Sequence, residues 1–211
     1  MQSPLSGTAL LLVDLQNDFL PGGALPVPDG DAILPVANRL QAHFDLVIAT
    51  QDWHPPNHVS FAASHPGKRV GDAIEMDGTE QRLWPVHCVQ NTHGAALAGA
   101  LDTRRIAHVV QKGTDPSVDS YSGFFDFRGR ATSLADYLRQ RGAYSIYLVG
   151  LATDYCVKAT ALDARRLGLG VVLVADGCRG VDAATGDVGR ALDDMANAGV
   201  LIGESRGLFG S

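Results

Sequence analysis

Three side chains able to carry acyl-transfer chemistry stand beside apolar segments far apart in the sequence. Asp14 follows the run Thr8–Val13, and Lys112 follows Ile106–Gln111. Cys156 falls in the first turn of a helix read over Asp154–Leu167, with Thr153 or Asp154 as its N-cap. The unpaired amides and positive dipole end of a helix lower a thiol pKa and can hold an oxyanion. A carboxylate at a strand end can take the thiol proton, and a lysine can stabilise thiolate and developing negative charge. Singly, each residue has a plainer reading. A free cysteine packs as a small hydrophobe, and an Asp–Lys pair serves as a buried ion pair. Together they supply nucleophile, base and electrostatic partner, the set that acyl transfer needs. Cys88 and Cys178 have no comparable setting and read as structural.

A second constellation lies downstream. Asp52-Trp53-His54 puts a carboxylate and an imidazole on one side of an extended segment, and His87 follows in Trp84-Pro85-Val86-His87. One carboxylate and two imidazoles leave open positions and suit catalytic zinc, iron or manganese. His58, His65 and His93 share the same stretch, so residue types alone leave the choice of ligands open. Ser60 could add a weak contact, directly or through water. Phe19, Trp53, Trp84 and Tyr121 fit either an aromatic pocket or the core.

The elements that must position these groups are short apolar runs alternating with helix-length stretches. The runs are Thr8–Val13, Asp45–Ala49, Ile106–Gln111, Ser145–Val149 and Val171–Ala175, with a weaker Gly199–Ile202. They are too continuously apolar to be half exposed, which implies burial on both faces. Helices are expected over Asp31–His43, Ser133–Arg141, Asp154–Leu167 and Thr185–Asn197. Ser133 and Asp136 fit a capping pair, and Gly142 and Gly168 sit where helix C-terminal glycines belong. Such alternation predicts an α/β fold: a doubly wound, mostly parallel six-stranded sheet with helices on both faces. In such a sheet ligands bind outside the carboxyl ends of the strands. Asp14, Asp52, His54, Lys112, Cys156 and Asp176 all fall at that edge. More than fifty residues separate Thr50 from Ile106. Within them only Ala95–Leu101 reads as a short helix, and a connection this long is usually functional. The whole chain, 1–211, reads as one domain with a long metal-site loop at about 51–95.

Composition narrows the function classes. The 211 residues carry a net charge of −6 and no Lys/Arg block, which argues against a nucleic-acid partner. No apolar run is long enough for a membrane span, and no signal peptide is visible at the N-terminus. Three cysteines without CxxC spacing fit free thiols in a reducing cytoplasm. There is no GxGxxG and no GxxxxGK[ST], so the sheet comes without a nucleotide fingerprint.

Asp14-Leu-Gln-Asn-Asp-Phe19, Thr50-Gln-Asp-Trp-His-Pro55, Trp84-Pro-Val-His-Cys88, Lys112-Gly113, Asp119-Ser-Tyr-Ser-Gly-Phe124 and Gly150-Leu-Ala-Thr-Asp-Tyr-Cys156 resemble the isochorismatase-like cysteine hydrolases. The motifs occur in the expected order from about residue 8 to 203. The resemblance implies a triad of Asp14, Lys112 and Cys156. It implies an oxyanion hole from the amides of Ala152 and Cys156, with a cis peptide before Ala152. It also implies one divalent metal ion, zinc ahead of iron or manganese, on Asp52, His54 and His87. It adds Ser60 as a fourth contact, with His58 as an alternative ligand. Phe19, Leu25, Trp84 and Tyr121 match pocket positions. The implied activity is hydrolysis of nicotinamide to nicotinate and ammonia through a cysteine thioester, feeding NAD salvage. The implied partner is a small molecule such as nicotinamide or pyrazinamide, and homo-oligomerisation is left open. The alternatives are another amidohydrolase of the same fold, acting on a carbamoyl or ureido substrate, and a non-catalytic metal- or ligand-binding module.

Overall fold

The computed structural model describes residues 5–209 with the exception of residue 77. Six strands form one sheet: β1 (Thr8–Val13), β2 (Val47–Asp52), β5 (Ile106–Lys112), β6 (Ser145–Leu151), β7 (Gly170–Arg179) and β8 (Leu201–Gly203). Their order is β5-β2-β1-β6-β7-β8, and every pairing is parallel rather than mostly so. Strand β1 shows why: its side chains are apolar on both faces and need cover on each. Leu10 and Leu12 pack on one face with α1 (Leu34–Leu40) and Phe209 of α5 (Ser205–Phe209). Leu11 and Val13 pack on the other with α2 (Leu134–Gln140), α3 (Lys158–Arg166) and α4 (Asp187–Asn197). The two-residue alternation along β1 thus separates two cores.

The chain runs outward from β1 through β2 to β5, then returns to β6 on the other side of β1 and runs through β7 to β8. The reversal makes a crevice at the carboxyl ends of β1 and β6, where such sheets bind ligands. Among the described residues, no helix is long and apolar enough to cross a membrane.

Three local expectations fail. Ala95–Leu101 forms turns rather than a helix, because Leu97 bridges to Gln16 and the carbonyl of Ala95 is taken by the side-chain amides of Gln16 and Gln51, each at 2.8 Å. Ser133 makes no side-chain cap; its hydroxyl faces His108 Nε2 at 3.1 Å instead. The long connection also carries a hairpin that the apolar pattern does not announce, β3 (Ala73–Met76) with β4 (Thr79–Arg82). Gly142 and Gly168 do sit past helix ends with φ of +67° and +82°.

Gly150 on β6 has φ +142°, and an added Cβ would lie 2.1 Å from the carbonyl oxygen of Val13. Close approach of β6 to β1 therefore depends on the missing side chain. Gly150→Ala should lower unfolding stability by about 3 kcal/mol or more, because strain and overlap add. Gly168→Ala, with no neighbour within 4 Å, should cost only about 1 kcal/mol. Urea-unfolding midpoints of the two variants check this; equal losses would contradict the close-approach argument.

Candidate active site

Four strand ends deliver the polar groups. Asp14 leaves β1 in a left-handed conformation, φ +51°. The turn is held by Thr50 at the β2 edge: the Asp14 amide donates to Thr50 Oγ1 at 3.2 Å, and that hydroxyl donates to Asp14 Oδ1 at 2.6 Å. Asp52 ends β2 and Lys112 ends β5, opposite each other in register. Cys156 follows β6 in one π-helical turn, Thr153–Val157, closed by the Val157 amide on the Ala152 carbonyl at 3.1 Å. The peptide between Leu151 and Ala152 is cis.

Lys112 joins them. Its Nζ lies 2.9 Å from Asp14 Oδ2, 3.2 Å from the Ser120 carbonyl and 3.4 Å from Cys156 Sγ, and it is ion-paired with Asp52 Oδ1. The ammonium is fully buried, as is Asp14. Burial alone would discharge Lys112, but Asp14 and Asp52 outweigh it and hold its pKa well above the usual lysine range. Burial would likewise raise Asp52, yet Lys112 and His54 hold it well below the carboxylate range. Asp14 is raised, by burial first and by Asp52, against the pull of Lys112. The Cys156 thiol is pushed well up, by burial above all, and Asp14 accepts its hydrogen bond. This corrects the expectation of a thiol acidified by a helix N-terminus: burial of the five-residue turn, with Asp14 and Asp52 beside it, outweighs the downward pull of Lys112.

Beside this cluster, Asp52, His54 and His87 converge. Asp52 Oδ2 lies 3.5 Å from His54 Nε2 and 3.8 Å from His87 Nε2. The far nitrogen of each ring faces a backbone carbonyl, Gly113 for His54 at 2.9 Å and Pro85 for His87 at 2.8 Å. A carbonyl only accepts, so each Nδ1 donates to it, which turns each Nε2 toward Asp52 Oδ2, where it could offer a lone pair to a bound cation. That is the orientation metal-ligating histidines are given by their supporting hydrogen bonds. Three buried carboxylates, Asp14, Asp52 and Asp119, face one ammonium. Asp119 Oδ2 has no hydrogen-bond partner, and burial raises the pKa of its carboxyl. The donor set, the free acceptor and the excess negative charge all fit a divalent cation.

His58 stacks on His54 at 4.1 Å between centroids, but both of its nitrogens are engaged, Nδ1 by the Ser60 hydroxyl at 2.8 Å and Nε2 by the Val118 carbonyl at 3.1 Å. Burial and His54 push its pKa down to about 3, which leaves it neutral. Ser60 lines the cavity while donating to His58. Asp176 stands apart and accepts from the Ser205 amide at 2.7 Å, at the start of α5.

The cavity over these groups holds about 450 Å³ of empty space, part of it open to solvent. Phe19, Leu25, Trp84, Tyr121, Ala152 and Cys156 line it, together with Asp52, His54 and His87. Trp53, the other aromatic candidate, packs against the core instead. The Trp84 indole N–H donates to the Tyr121 hydroxyl at 3.0 Å, and Trp84 meets Tyr155 edge-on at 4.9 Å. Val27, Asp119, Tyr155 and Val181 complete the lining. The sequence marks these four only in part: Asp119 and Tyr155 lie inside the family motifs, whereas Val27 and Val181 lie outside them. Val181 comes from far downstream, its amide accepted by Asp154 Oδ1 at 3.0 Å.

Thr50 holds Asp14 through a neutral hydroxyl and does not line the cavity, so it bears on the base from outside. A hydrogen bond to a charged group contributes about 1.5–3 kcal/mol. Thr50→Val should lower kcat for hydrolysis of the amide that the sequence resemblance implies about tenfold or more, with a smaller change in KM. Steady-state kinetics check this, and an unchanged kcat would remove Thr50 from the account.

Comparison with known proteins agrees with this architecture. A family model described as the isochorismatase domain matches residues 8–205. The chain is 51% identical over 199 residues to a nicotinamidase of Escherichia coli, covering 92% of this chain and 93% of that one. A solved nicotinamidase and pyrazinamidase of Acinetobacter baumanii superposes with a TM-score of 0.94 at 43% identity, covering 97% of this chain and 99% of the other. A pyrazinamidase of Pyrococcus horikoshii, solved in complex with zinc, superposes with a TM-score of 0.78 at 42% identity, covering 94% and 99%. With a family model over residues 8–205 and relatives at 42–51% identity along nearly the whole chain, it belongs to the isochorismatase family.

Proposed function

We propose that the chain hydrolyses nicotinamide to nicotinate and ammonia through a thioester on Cys156. The observation that carries the reading is the contact of one buried ammonium, Lys112 Nζ, with Asp14 and with Cys156 Sγ at 3.4 Å, beside an aromatic-lined cavity. The similarity to nicotinamidases supports the substrate.

In this mechanism Asp14 takes the thiol proton as Cys156 Sγ attacks the amide carbon. Its raised pKa suits a carboxyl that must give the proton back. The carbonyl oxygen becomes an oxyanion, held by the backbone amides of Ala152 and Cys156. Lys112 keeps Asp14 beside the sulfur and offsets the negative charge that passes between them. Collapse expels the amine, which leaves as ammonia after Asp14 returns the proton. Water then attacks the thioester, Asp14 accepts its proton, and nicotinate leaves with the thiol restored. Phe19, Leu25, Trp84 and Tyr121 hold the ring.

Asp52, His54 and His87 would hold one divalent ion, with zinc the choice that best suits one carboxylate and two imidazoles. When bound, the ion would supply a Lewis-acidic position able to take a pyridine nitrogen. Zinc in the Pyrococcus horikoshii pyrazinamidase supports that choice. A carbamoyl- or ureido-specific relative is not favoured, because such substrates lack a ring nitrogen for this position. A non-catalytic binding module leaves the Asp14–Lys112–Cys156 contacts without a use.

Ammonia release from nicotinamide tests the reaction, and benzamide tests the substrate assignment. Benzamide keeps ring size and amide but lacks the ring nitrogen. The expected kcat/KM for benzamide is lower by about 10²-fold or more, since a site built around one polar contact discriminates against an analogue lacking it. Equal values for the two amides would refute recognition through the ring nitrogen.

A further inference from the structure

Asp18 belongs to neither the nucleophilic cluster nor the cavity lining, yet it joins the two segments that furnish opposite kinds of site residue. It sits in the turn Asn17–Phe19, directly before Phe19. Its Oδ2 accepts the amide of Cys88 at 2.7 Å, and its Oδ1 accepts the amide of Ala24 at 3.2 Å. Cys88 follows His87 and is left-handed, φ +46°, a conformation that costs a non-glycine residue energy and needs support. Ala24 precedes Leu25, whose own amide donates to the Asp18 carbonyl at 2.9 Å. One carboxylate therefore fixes the turn after His87 to the segment bearing Phe19 and Leu25. The Phe19 and His87 rings lie 5.6 Å apart across this junction. Space is made for the carboxylate by Gly94: a Cβ there would fall 2.1 Å from Asp18 Oδ2.

We infer that Asp18 is a positioning residue, which sets His87 relative to Phe19 and Leu25 and so couples metal retention to substrate affinity. The inference rests on the proposed metal role of Asp52, His54 and His87. Asn at this position keeps the shape but turns an NH₂ toward one of the two amides, so one of the two contacts becomes donor against donor. A partner that holds a ligand in place typically contributes 10–100-fold to metal affinity.

The test measures zinc affinity of the purified full chain by competition with a chromophoric chelator, and KM for nicotinamide at saturating zinc. Asp18→Asn should raise the zinc dissociation constant about tenfold or more and raise KM by more than it lowers kcat. Gly94→Ala, which leaves Asp18 in place but displaces its carboxylate, should show the same two losses. Asn17→Ser is the control. It removes a 2.8 Å bond from Asn17 Nδ2 to the His93 carbonyl, between the same two segments but away from Cys88, and should leave zinc affinity unchanged. A loss in Asn17→Ser equal to that in Asp18→Asn would overturn the inference, reducing Asp18 to a general tether. Wild-type affinity in Asp18→Asn, beside weakened binding in His54→Ala, would overturn the positioning role and leave the metal site standing. Unchanged binding in His54→Ala as well would overturn the metal site and this inference with it.

Discussion

A buried ammonium must find its counter-charge within the protein, and Lys112 finds it in two carboxylates from two other strands. Removing one partner of a buried ion pair typically costs about 3–5 kcal/mol, because the remaining charge is left uncompensated. Lys112, Asp14 and Asp52 therefore constrain one another, and through them the ends of β5, β1 and β2. Placing β1 between β2 and β6 brings the π-helical turn of Cys156 to the same point. The sheet order thus sets the chemistry: the pairing of β1 with β6 brings the base and the nucleophile together from residues distant in sequence, and β2 and β5 add Asp52 and Lys112 from the other side.

Asp52 divides its two oxygens between the two halves of the site. Oδ1 faces Lys112, while Oδ2 faces the imidazoles of His54 and His87. A carboxylate held well below its ordinary pKa stays charged for both tasks. The backbone around it is fixed by Gln16, whose amide both donates to the Asp52 carbonyl and accepts from the Asp52 amide, each at 2.8 Å. Positions in the long connection are thereby tied to β1 and not left to the loop itself. This is the behaviour expected where a site must be held by groups that do not themselves react.

Much of this was legible in the sequence because it depends on local pattern. Continuous apolar runs identify the parallel strands; Asp14 and Lys112 are the first polar residues after theirs, and the second run leads on through Thr50 and Gln51 to Asp52. What was not legible depends on partners distant in sequence. Ala95–Leu101 has helix-like periodicity, but Gln16 and Gln51 claim the Ala95 carbonyl and hold the segment in turns. Ser133 resembles a cap, yet His108 on β5 faces its hydroxyl. Thr50 and Val181 carry no local signal: one is a strand threonine, and the other enters the cavity through Asp154. The thiol pKa shows the same limit. A turn position is readable in sequence, whereas burial beside two carboxylates is not.

The central claim is that Lys112 acts by placing a compact charge between Asp14, Asp52 and Cys156, and not by supplying positive charge at a distance. Arginine keeps the charge but spreads it over a planar fork too large for that point. The most direct measurement is the rate of ammonia release from nicotinamide by Lys112→Arg. The account predicts a loss of about 10³-fold or more with the protein still folded. A rate within tenfold of the unsubstituted protein would contradict it.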